Sequence, residues 1–295
     1  MFLIKEELIL NPDIIFPNLG IEIKNLSSRA FSIFGVNVYW YGLIIGFGVL
    51  AGLYIAMKEA KRTNQDPNIY LDFLIYAMIA SIIGARIYYV LFSLDEYKDN
   101  LWKVFAIREG GLGIYGAIIA SIITLVIYTR VKKLSYWLLA DTACLGLIAG
   151  QAIGRWGNFV NREAFGGYTD SLFAMLLKTK QVKYIPEDLL DNIVIRNGVE
   201  YIQVQPTFFY ESLWNIGVLI FLLFYRKRKK FTGEIFAFYV LGYAIGRFWI
   251  EGLRTDQLLI AGTSIAISQV VALLSAIIAL SIIIIKRRRL SKTSN

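Results

Sequence analysis

The 295-residue chain contains no histidine and only one cysteine, Cys144. The absence of histidine excludes Ser-His-Asp triads, histidine general bases and histidine-ligated metal sites. A single cysteine excludes an intrachain disulfide, and its position inside an apolar run favours a packing role. Since no other side chains have convincing metal-ligand spacing, we expect neither a metal nor a cofactor.

Charged residues are also scarce, at 18% of the chain, whereas 57% of the residues are hydrophobic and the mean hydropathy is +0.55. A soluble domain has about 25% charged residues. Apolar runs of about 20 residues match the hydrocarbon core of a bilayer. The sequence therefore predicts an all-α polytopic membrane protein. Its seven predicted transmembrane helices are Tyr39–Met57, Tyr70–Leu91, Gly113–Tyr128, Tyr136–Ile153, Thr207–Tyr225, Glu234–Ile250 and Ile265–Ile285.

The net charge of +9 is concentrated at one end of the predicted helices. Clusters of Lys and Arg follow each odd-numbered helix, at residues 58–62, 130–133, 226–230 and 286–289. Cytoplasmic loops of multi-pass membrane proteins carry such an excess of positive charge. We therefore expect an extracytoplasmic N-terminus, a cytoplasmic C-terminus and no nucleic-acid partner.

The apolar runs also divide the chain into regions. These are an extracytoplasmic N-terminal segment (1–38), helices one to four (39–160), an extracytoplasmic head (161–205), helices five to seven (206–285) and a basic cytoplasmic tail (286–295). Charged residues interrupt the first region, so no cleavable signal peptide is expected. In the head, Asn197-Gly198 separates two β-rich runs, which predicts a small β-hairpin.

A glycine followed closely by an arginine recurs in the three even-numbered helices. The pairs are Gly84 and Arg86, Gly154 and Arg155, and Gly246 and Arg247. At 1.5 Å per residue, each arginine lies about 20–28 Å from the inner end of its helix, in the outer half of the bilayer. Charged groups inside a membrane face a cavity and a partner, and guanidinium groups bind phosphate through two oxygens at once. The pattern indicates a site for the phosphate of an outer-leaflet lipid.

Each arginine taken singly has an alternative interpretation, in which it snorkels or pairs with a helix neighbour. Arg247 and Glu251 are four residues apart, and Glu251 and Arg254 are three apart, which allows ion pairs. Three arginines at matching depth favour the phosphate site. Other polar residues reach the same level, although each tyrosine alone is typical of an aromatic belt: Tyr41, Tyr115 with Gly116, and Tyr210 with Glu211.

The densest polar segment is Gly154–Gly167, where amides, charges and glycines alternate with large aromatic side chains. In this segment the sequence resembles the prolipoprotein diacylglyceryl transferase family, whose signature is similar to G-R-x-G-N-F-x-N-x-E-x-x-G. Gly154–Gly166 fits every fixed position. Similarity continues at Tyr39–Gly42, Gly84–Ile87, Arg108–Gly111, Ala140-Asp141, Pro206–Glu211 and Gly242–Arg254.

The resemblance implies a seven-helix protein of the bacterial cytoplasmic membrane with an extracytoplasmic head. It implies that the thiol of a prolipoprotein lipobox cysteine displaces glycerol phosphate from phosphatidylglycerol and becomes a diacylglyceryl thioether. The expected partners are phosphatidylglycerol, the prolipoprotein signal peptide and membrane lipids.

Together, the resemblance and the polar pattern give the expected site residues. Catalytic roles are assigned to Arg155, Arg247, Glu163 and Tyr115. Substrate-binding roles are assigned to Tyr41, Arg86, Gly116, Asn158, Asn161, Gly166, Tyr243, Glu251 and Arg254. The two catalytic arginines would bind the phosphate and the leaving group, and Glu163 would orient an arginine or accept the thiol proton.

Tyr115 departs from the pattern of some family members, which have histidine there in a His-Gly-Gly context. Because a phenol is a poor base at neutral pH, we expect Tyr115 to position substrate, and the identity of the base stays open. A transporter or channel for an anionic lipid or small anion is the alternative from another class. It would require charges through the full membrane depth or inverted repeats with broken helices, whereas the inner halves of the predicted helices are almost uncharged.

Overall fold

The computed structural model describes residues 11–98, 100–107 and 110–293. Arg108 and Glu109, which belong to one of the similar segments, lie outside these residues. Within the described ranges, seven long helices follow the predicted apolar runs, and a short helix, α5 (Glu187–Leu190), lies between the fourth and the fifth. The long helices are α1 (Trp40–Arg62), α2 (Asn68–Phe92), α3 (Ile114–Val131), α4 (Tyr136–Asn161), α6 (Thr207–Tyr225), α7 (Glu234–Glu251) and α8 (Ile267–Thr293).

Six of these helices in the described part of the chain are long and apolar enough to cross a membrane: α1, α2, α3, α4, α6 and α8. Helix α7 differs because its 18 residues include Glu234, Arg247 and Glu251. The fold is thus mostly helical, with six candidate membrane-spanning helices and a small β-sheet region.

Helix α4 is longer than its apolar run. The run ends at Ile153, whereas the helix continues to Asn161. Tertiary contacts hold this polar extension in place. A Cβ atom at Gly157 would lie 2.7 Å from the Tyr41 ring, and the Trp156 indole donates to the Ser212 hydroxyl at 3.2 Å. The extension places the first part of the family signature, Gly154 to Asn161, on a rigid helix.

The described residues form two compact units, one combining 11–52 with 145–293 and the other spanning 53–144. In the first unit, α1 and α4 approach closely, since a Cβ atom at Gly52 would lie 2.5 Å from the Gly146 carbonyl oxygen. Glycines play the same part in the second unit, where α2 and α3 meet. A Cβ atom at Gly84 would lie 2.7 Å from the Gly116 carbonyl oxygen.

A five-stranded antiparallel sheet forms the β region of the first unit, in the order β2-β1-β5-β7-β6. Asn197 and Gly198 connect β6 to β7, with φ angles of 49° and 74° that suit a type I′ turn. Residues 11–38 also enter this region, because they supply β1 and β2 and a second hairpin, β3–β4, that leads into α1. The strands are β1 (Ile14–Phe16), β2 (Ile21–Ile23), β3 (Arg29–Ile33), β4 (Val36–Tyr39), β5 (Met175–Lys178), β6 (Ile193–Arg196) and β7 (Val199–Val204).

Strand β5 is buried on both faces, and its last residue is a lysine. Lys178 is 1% exposed and donates to Asp13 Oδ1 at 2.9 Å and to the Asn11 carbonyl at 2.8 Å. Burial alone would raise the pKa of Asp13, but hydrogen bonds from Lys178, Gln181 and the Leu26 backbone together hold that pKa below its ordinary value. The ion pair therefore joins the N-terminal strand to the centre of the sheet.

Candidate active site

Two of the predicted arginines converge on one carboxylate. Glu211 Oε1 lies 2.5 Å from Arg155 Nη2 and 3.5 Å from Arg247 Nη1. The three residues come from α6, α4 and α7 respectively, so the cluster joins three helices of the first unit. The Glu211 side chain is 4% exposed, and those of both arginines are 21% exposed. The two guanidinium groups compensate for the hydration that a carboxylate buried this deeply has lost.

Small and hydroxyl-bearing residues let the three helices approach closely enough for this convergence. Ser212, next to Glu211, donates to the Ala152 carbonyl of α4 at 2.8 Å. Between α6 and α7, a Cβ atom at Gly246 would overlap the Trp214 indole. Trp214 in turn donates to the Gly242 carbonyl at 2.8 Å. Glycine beside Arg247 thus determines how closely that arginine approaches Glu211.

The ionic cluster continues along α7 and the segment after it. Arg247 Nη2 lies 2.6 Å from Glu251 Oε2, and Arg254 Nε lies 3.8 Å from the same oxygen. Arg254 also donates two hydrogen bonds to Asp256, at 2.8 and 2.9 Å. Burial raises the pKa of Asp256, but the Arg254 guanidinium outweighs this effect and lowers it. The helix-neighbour pairs anticipated for Arg247, Glu251 and Arg254 therefore form, and Glu211 adds a contact between helices.

Three arginines and three carboxylates alternate in this cluster, which is thus formally neutral. An incoming phosphate would add a negative charge to a cluster whose charges are already balanced. Within the described residues, buried Arg247 Nη1, Glu211 Oε1 and Glu251 Oε2 have close charged neighbours but no hydrogen bond of good geometry. The cluster is electrostatically paired, yet part of its hydrogen-bonding capacity is unused.

Glu163 lies in a separate amide cluster at the end of α4. Its Oε1 accepts from the Asn158 side-chain amide at 3.1 Å and from that of Asn161 at 3.3 Å. Lys183 Nζ lies 3.8 Å from its other oxygen, and the Glu163 side chain is 32% exposed. Three of the predicted residues are thus brought together, with the carboxylate in the acceptor role.

Gly166 lies where three segments of the first unit meet. Its backbone N–H donates to the Gln205 carbonyl at 3.0 Å, and it forms an isolated β-bridge with Arg254. A Cβ atom at Gly166 would lie 2.7 Å from the Leu253 carbonyl oxygen. Glycine is needed here to seat the loop that follows α4 against the segment that carries Arg254.

Tyr41 and Tyr243 also belong to the first unit. Tyr41 packs its ring on Gly157 in α4. Tyr243 lies one helical turn from Arg247 and stacks on Tyr239, with ring centroids 6.1 Å apart. The Tyr239 hydroxyl is hydrogen-bonded to Gln151 at 3.1 Å. A second polar layer therefore lies one turn from the arginines, toward the middle of α4 and α7.

Arg86 belongs to the second unit and binds backbone. Its guanidinium donates to the carbonyls of Val104 at 2.7 Å, Gly110 at 2.8 Å, Gly111 at 3.0 Å and Lys103 at 2.5 Å. It also stacks on Tyr97, 5.4 Å from the ring centroid. These bonds use four of the five N–H groups of an arginine. Arg86 thus fixes the loop between α2 and α3.

Tyr115 and Gly116 open α3 in the same unit. The Tyr115 ring lies 6.1 Å from that of Tyr88 on α2. A Cβ atom at Gly116 would overlap both the Gly84 carbonyl and the Tyr88 side chain. The place of Gly116 is therefore a close contact between two helices.

Comparison with known proteins identifies the family of the chain. The family model described as prolipoprotein diacylglyceryl transferase matches residues 28–285. The chain belongs to the prolipoprotein diacylglyceryl transferase family. A phosphatidylglycerol–prolipoprotein diacylglyceryl transferase of Oceanobacillus iheyensis is 43% identical over 258 residues, which is 87% of each chain. The transferase of that name in Listeria welshimeri is 42% identical over 92% of this chain and 94% of its own. That of Clostridioides difficile is 40% identical over 84% and 90%.

Glu211 belongs to the arginine cluster of this prolipoprotein diacylglyceryl transferase, but the sequence-based list of site residues omitted it. The sequence places it beside Tyr210 at the opening of α6, within an otherwise apolar run. A lone carboxylate in such a run needs a cationic partner, and this signal links it to the arginines of the other helices. Asp256 was also missed, because it lies in a polar loop where a carboxylate is unremarkable. Among the described residues, no group of three or more Cys, Asp or Glu is placed to hold a metal ion.

Proposed function

We propose that this chain is an enzyme that transfers the diacylglyceryl group of phosphatidylglycerol to the thiol of a prolipoprotein lipobox cysteine and releases glycerol phosphate. One observation carries the proposal. Arg155, inside the family signature, and Arg247, from another helix, meet at a single buried anion. Two guanidinium groups at this separation suit a phosphodiester, which offers two unesterified oxygens. The alternative of a transporter is not favoured, because the relatives reported above are named as transferases.

In the proposed reaction, the thiol sulfur attacks the glycerol carbon that bears the phosphodiester. A C–S bond forms, the C–O bond to the phosphate breaks, and its electron pair leaves with glycerol phosphate. Arg155 and Arg247 stabilise the negative charge that develops on the departing phosphate. Because both arginines are held by packed helices, little reorganisation is needed when the charge appears.

The other predicted residues have supporting roles in this proposal. Asn158, Asn161 and Glu163 orient the lipid headgroup from the end of α4, and Glu251 and Arg254 position Arg247. Tyr41, Tyr243 and Gly166 shape the surroundings of the arginines. Tyr115 positions substrate through its hydroxyl, while Arg86 and Gly116 act by organising the loop and the helix contact beside it.

We also propose that α7 is a seventh membrane span. Its charges are paired, since Glu234 accepts from Arg287 at 2.7 Å and Arg247 contacts Glu251 and Glu211. Pairing reduces the cost of placing these groups in a membrane. With seven spans, the basic clusters after α1, α3, α6 and α8 face the cytoplasm. The N-terminal segment and residues 161–205 then lie outside the bacterial cytoplasmic membrane, and the tail from 286 lies inside.

A reconstituted assay tests the reaction. Purified protein is incubated with phosphatidylglycerol and a lipobox peptide, and peptide mass and released glycerol phosphate are measured. We expect one diacylglyceryl group per peptide and an equal amount of glycerol phosphate. An unmodified peptide in the presence of well-folded protein and lipid contradicts the proposal.

Substitution of the arginines tests their role in the same assay. Arg155→Ala and Arg247→Ala are each expected to lower the rate at least about 10²–10³-fold, the usual effect of removing an electrostatic donor to a developing anion. Arg228→Gln, in the exposed basic cluster after α6, is the matched control and keeps near-normal turnover. Full activity in Arg155→Ala contradicts the phosphate-binding role.

A further inference from the structure

Glu211 occupies the position that the proposed function assigns to the substrate phosphate. Its Oε1 is the only oxygen among the described residues that forms an ion pair with both Arg155 and Arg247. Its side chain is almost fully buried, at 4% exposure. A phosphodiester that binds the guanidinium groups on the sides that face Glu211 competes with this carboxylate. Glu211 and the phosphate are competitors for the same two guanidinium groups.

The displacement is made easier by the geometry of the existing contacts. Glu211 Oε1 and Arg247 Nη1 are both buried, and neither makes a hydrogen bond of good geometry within the described part of the chain. Charge-assisted hydrogen bonds to a bidentate acceptor are stronger than poorly directed contacts. A phosphodiester can offer one well-directed oxygen to each arginine, while Glu211 loses its two cationic partners.

Glu211 changes its chemical character when it is displaced. The charged groups near it are Arg155 from α4, Arg247 from α7 and, after α7, Arg254, which is paired with Asp256. Glu251 holds the far side of Arg247 at 2.6 Å. After the exchange, both arginines are neutralised by phosphate and Glu251. A buried carboxylate that loses its cations and gains an anionic neighbour becomes a stronger base. The displaced Glu211 carboxylate also lies beside the phosphodiester, and the thiol attacks the glycerol carbon that bears this group.

We propose that phosphodiester binding releases Glu211 from Arg155 and Arg247, and that the released carboxylate accepts the proton of the attacking thiol. This inference rests on the proposed function. The S–H bond breaks and its proton moves to a Glu211 oxygen, while the sulfur forms the C–S bond and glycerol phosphate departs with the C–O electron pair. Glu211 then gives the proton to the departing phosphate monoester or to water and returns to the arginines. A carboxylate thereby serves as base in a chain that has no histidine.

Glu163 is a carboxylate of the same region that makes no such exchange. It accepts from two neutral amides, Asn158 and Asn161, and is 32% exposed. Phosphate binding at the arginines leaves these contacts intact. Glu163→Gln is therefore the comparison variant for Glu211→Gln: its rate falls because Glu163 orients the headgroup, but the shape of its pH–rate profile does not change.

The first experiment compares pH–rate profiles with phosphatidylglycerol and a lipobox peptide. For the wild type we expect a rate that rises at acid pH and then levels off. Glu211→Gln should turn over about 10²–10⁴-fold more slowly at neutral pH. Its rate should keep rising about tenfold per pH unit toward the thiol pKa near 8.5, because the thiol must ionise unaided. Glu211→Gln should also bind phosphatidylglycerol at least as tightly as the wild type, since the competing carboxylate is gone. Glu163→Gln should keep the wild-type profile shape.

The second experiment replaces the lipobox cysteine by selenocysteine, whose selenol is already ionised at neutral pH. The selenol peptide should restore most of the rate of Glu211→Gln, and it should not restore Arg155→Ala. With the wild type, the same peptide should abolish the acid limb of the profile, a result that does not depend on the folding of any variant. Normal kcat in Glu211→Gln, no rescue of a lipid-binding Glu211→Gln, or an acid limb that persists with selenol and wild type would each overturn the inference. Failure of the wild type to form any thioether would instead contradict the proposed function itself.

Discussion

Tyr115 lies in the first turn of α3, beside the glycine through which α3 meets α2. Its ring packs near Tyr88, which restricts the ring and leaves the hydroxyl as the only group with chemistry to offer. At this scale the question is whether that hydroxyl donates a hydrogen bond or removes a proton. Tyr115→Phe separates the two, because it keeps the packed ring and removes only the oxygen.

We expect Tyr115→Phe to lower the transfer rate about 5- to 150-fold, which corresponds to the loss of one hydrogen bond worth about 1–3 kcal/mol. The pH–rate profile should keep its shape, since a positioning group adds no ionisation to it. Steady-state assays across the pH range measure both quantities. Loss of the rising limb of the profile, or loss of all activity with lipid binding intact, would make Tyr115 the base.

Arginines with similar sequence contexts differ in their bonding partners. Arg155 and Arg247 contact carboxylates on other helices, whereas Arg86 donates to four backbone carbonyls. The sequence predicts the depth and the glycine neighbour of all three. It cannot separate their roles, because every residue has a backbone carbonyl, so no residue type in the sequence marks the partners of Arg86. Glu211 could have been predicted as a site residue, because it is a single carboxylate in an apolar run. Only the structure shows that it contacts both Arg155 and Arg247.

Glycines let pairs of helices pack closely against each other. The contact between α2 and α3 allows the role of one such glycine to be tested. A Cβ atom at Gly116 would overlap the Gly84 carbonyl. On this geometry, Gly116 acts on helix packing and reaches the substrate only through it.

Gly116→Ala is therefore expected to cost about 1–3 kcal/mol of stability through overpacking. Gly217→Ala in α6, where a Cβ meets nothing within 4 Å, should leave the melting temperature unchanged or slightly raised. Thermal unfolding in detergent compares the two variants with the wild type. If Gly116→Ala melts normally but fails to transfer, Gly116 instead contacts substrate.

The β-sheet was only partly predictable. The Asn197-Gly198 pair predicts one hairpin, because both turn residues have positive φ angles, which asparagine and glycine adopt readily. Strand β1 has three residues and pairs with β5, far along the chain, so no local pattern reveals it. The buried ion pair between Asp13 and Lys178 makes the stability of the sheet depend on pH.

Because the pKa of Asp13 is lowered in the folded protein, its ionised form stabilises the fold above the unfolded pKa, and this contribution is lost as the pH falls through the folded value. The melting temperature of Asp13→Asn should thus be well below that of the wild type at pH 7. The gap should narrow as the pH falls below about 4. Melting curves of both proteins from pH 7 to pH 3 check this, and a constant gap would show that the charge is irrelevant.

For the whole molecule, the helix positions and the family were readable from apolar runs and a thirteen-residue signature, both of which are strong local signals. Orientation in the membrane rests on the basic clusters alone. The chain suits a direct test, because its single cysteine, Cys144, is buried. New cysteines at exposed positions therefore report without strong background.

Lys98→Cys, in the loop after α2, should react with a membrane-impermeant maleimide added to intact cells. Lys227→Cys, after α6, should react only once the membrane is opened. Both positions are exposed. Outside labelling of Lys227→Cys would reverse or dismantle the proposed topology.

The salt bridge between Asp13 and Lys178 also has a consequence for folding during synthesis, because its two residues are made at different times. Asp13 and Lys178 are 165 residues apart in the chain. At roughly 5–20 residues per second, the ribosome needs about 8–33 seconds between making one partner and the other. During that interval four helices enter the bilayer while β1 and β2 have no β5 to pair with. Until β5 is made, the new N-terminal strands are thus exposed to pairing with other nascent chains.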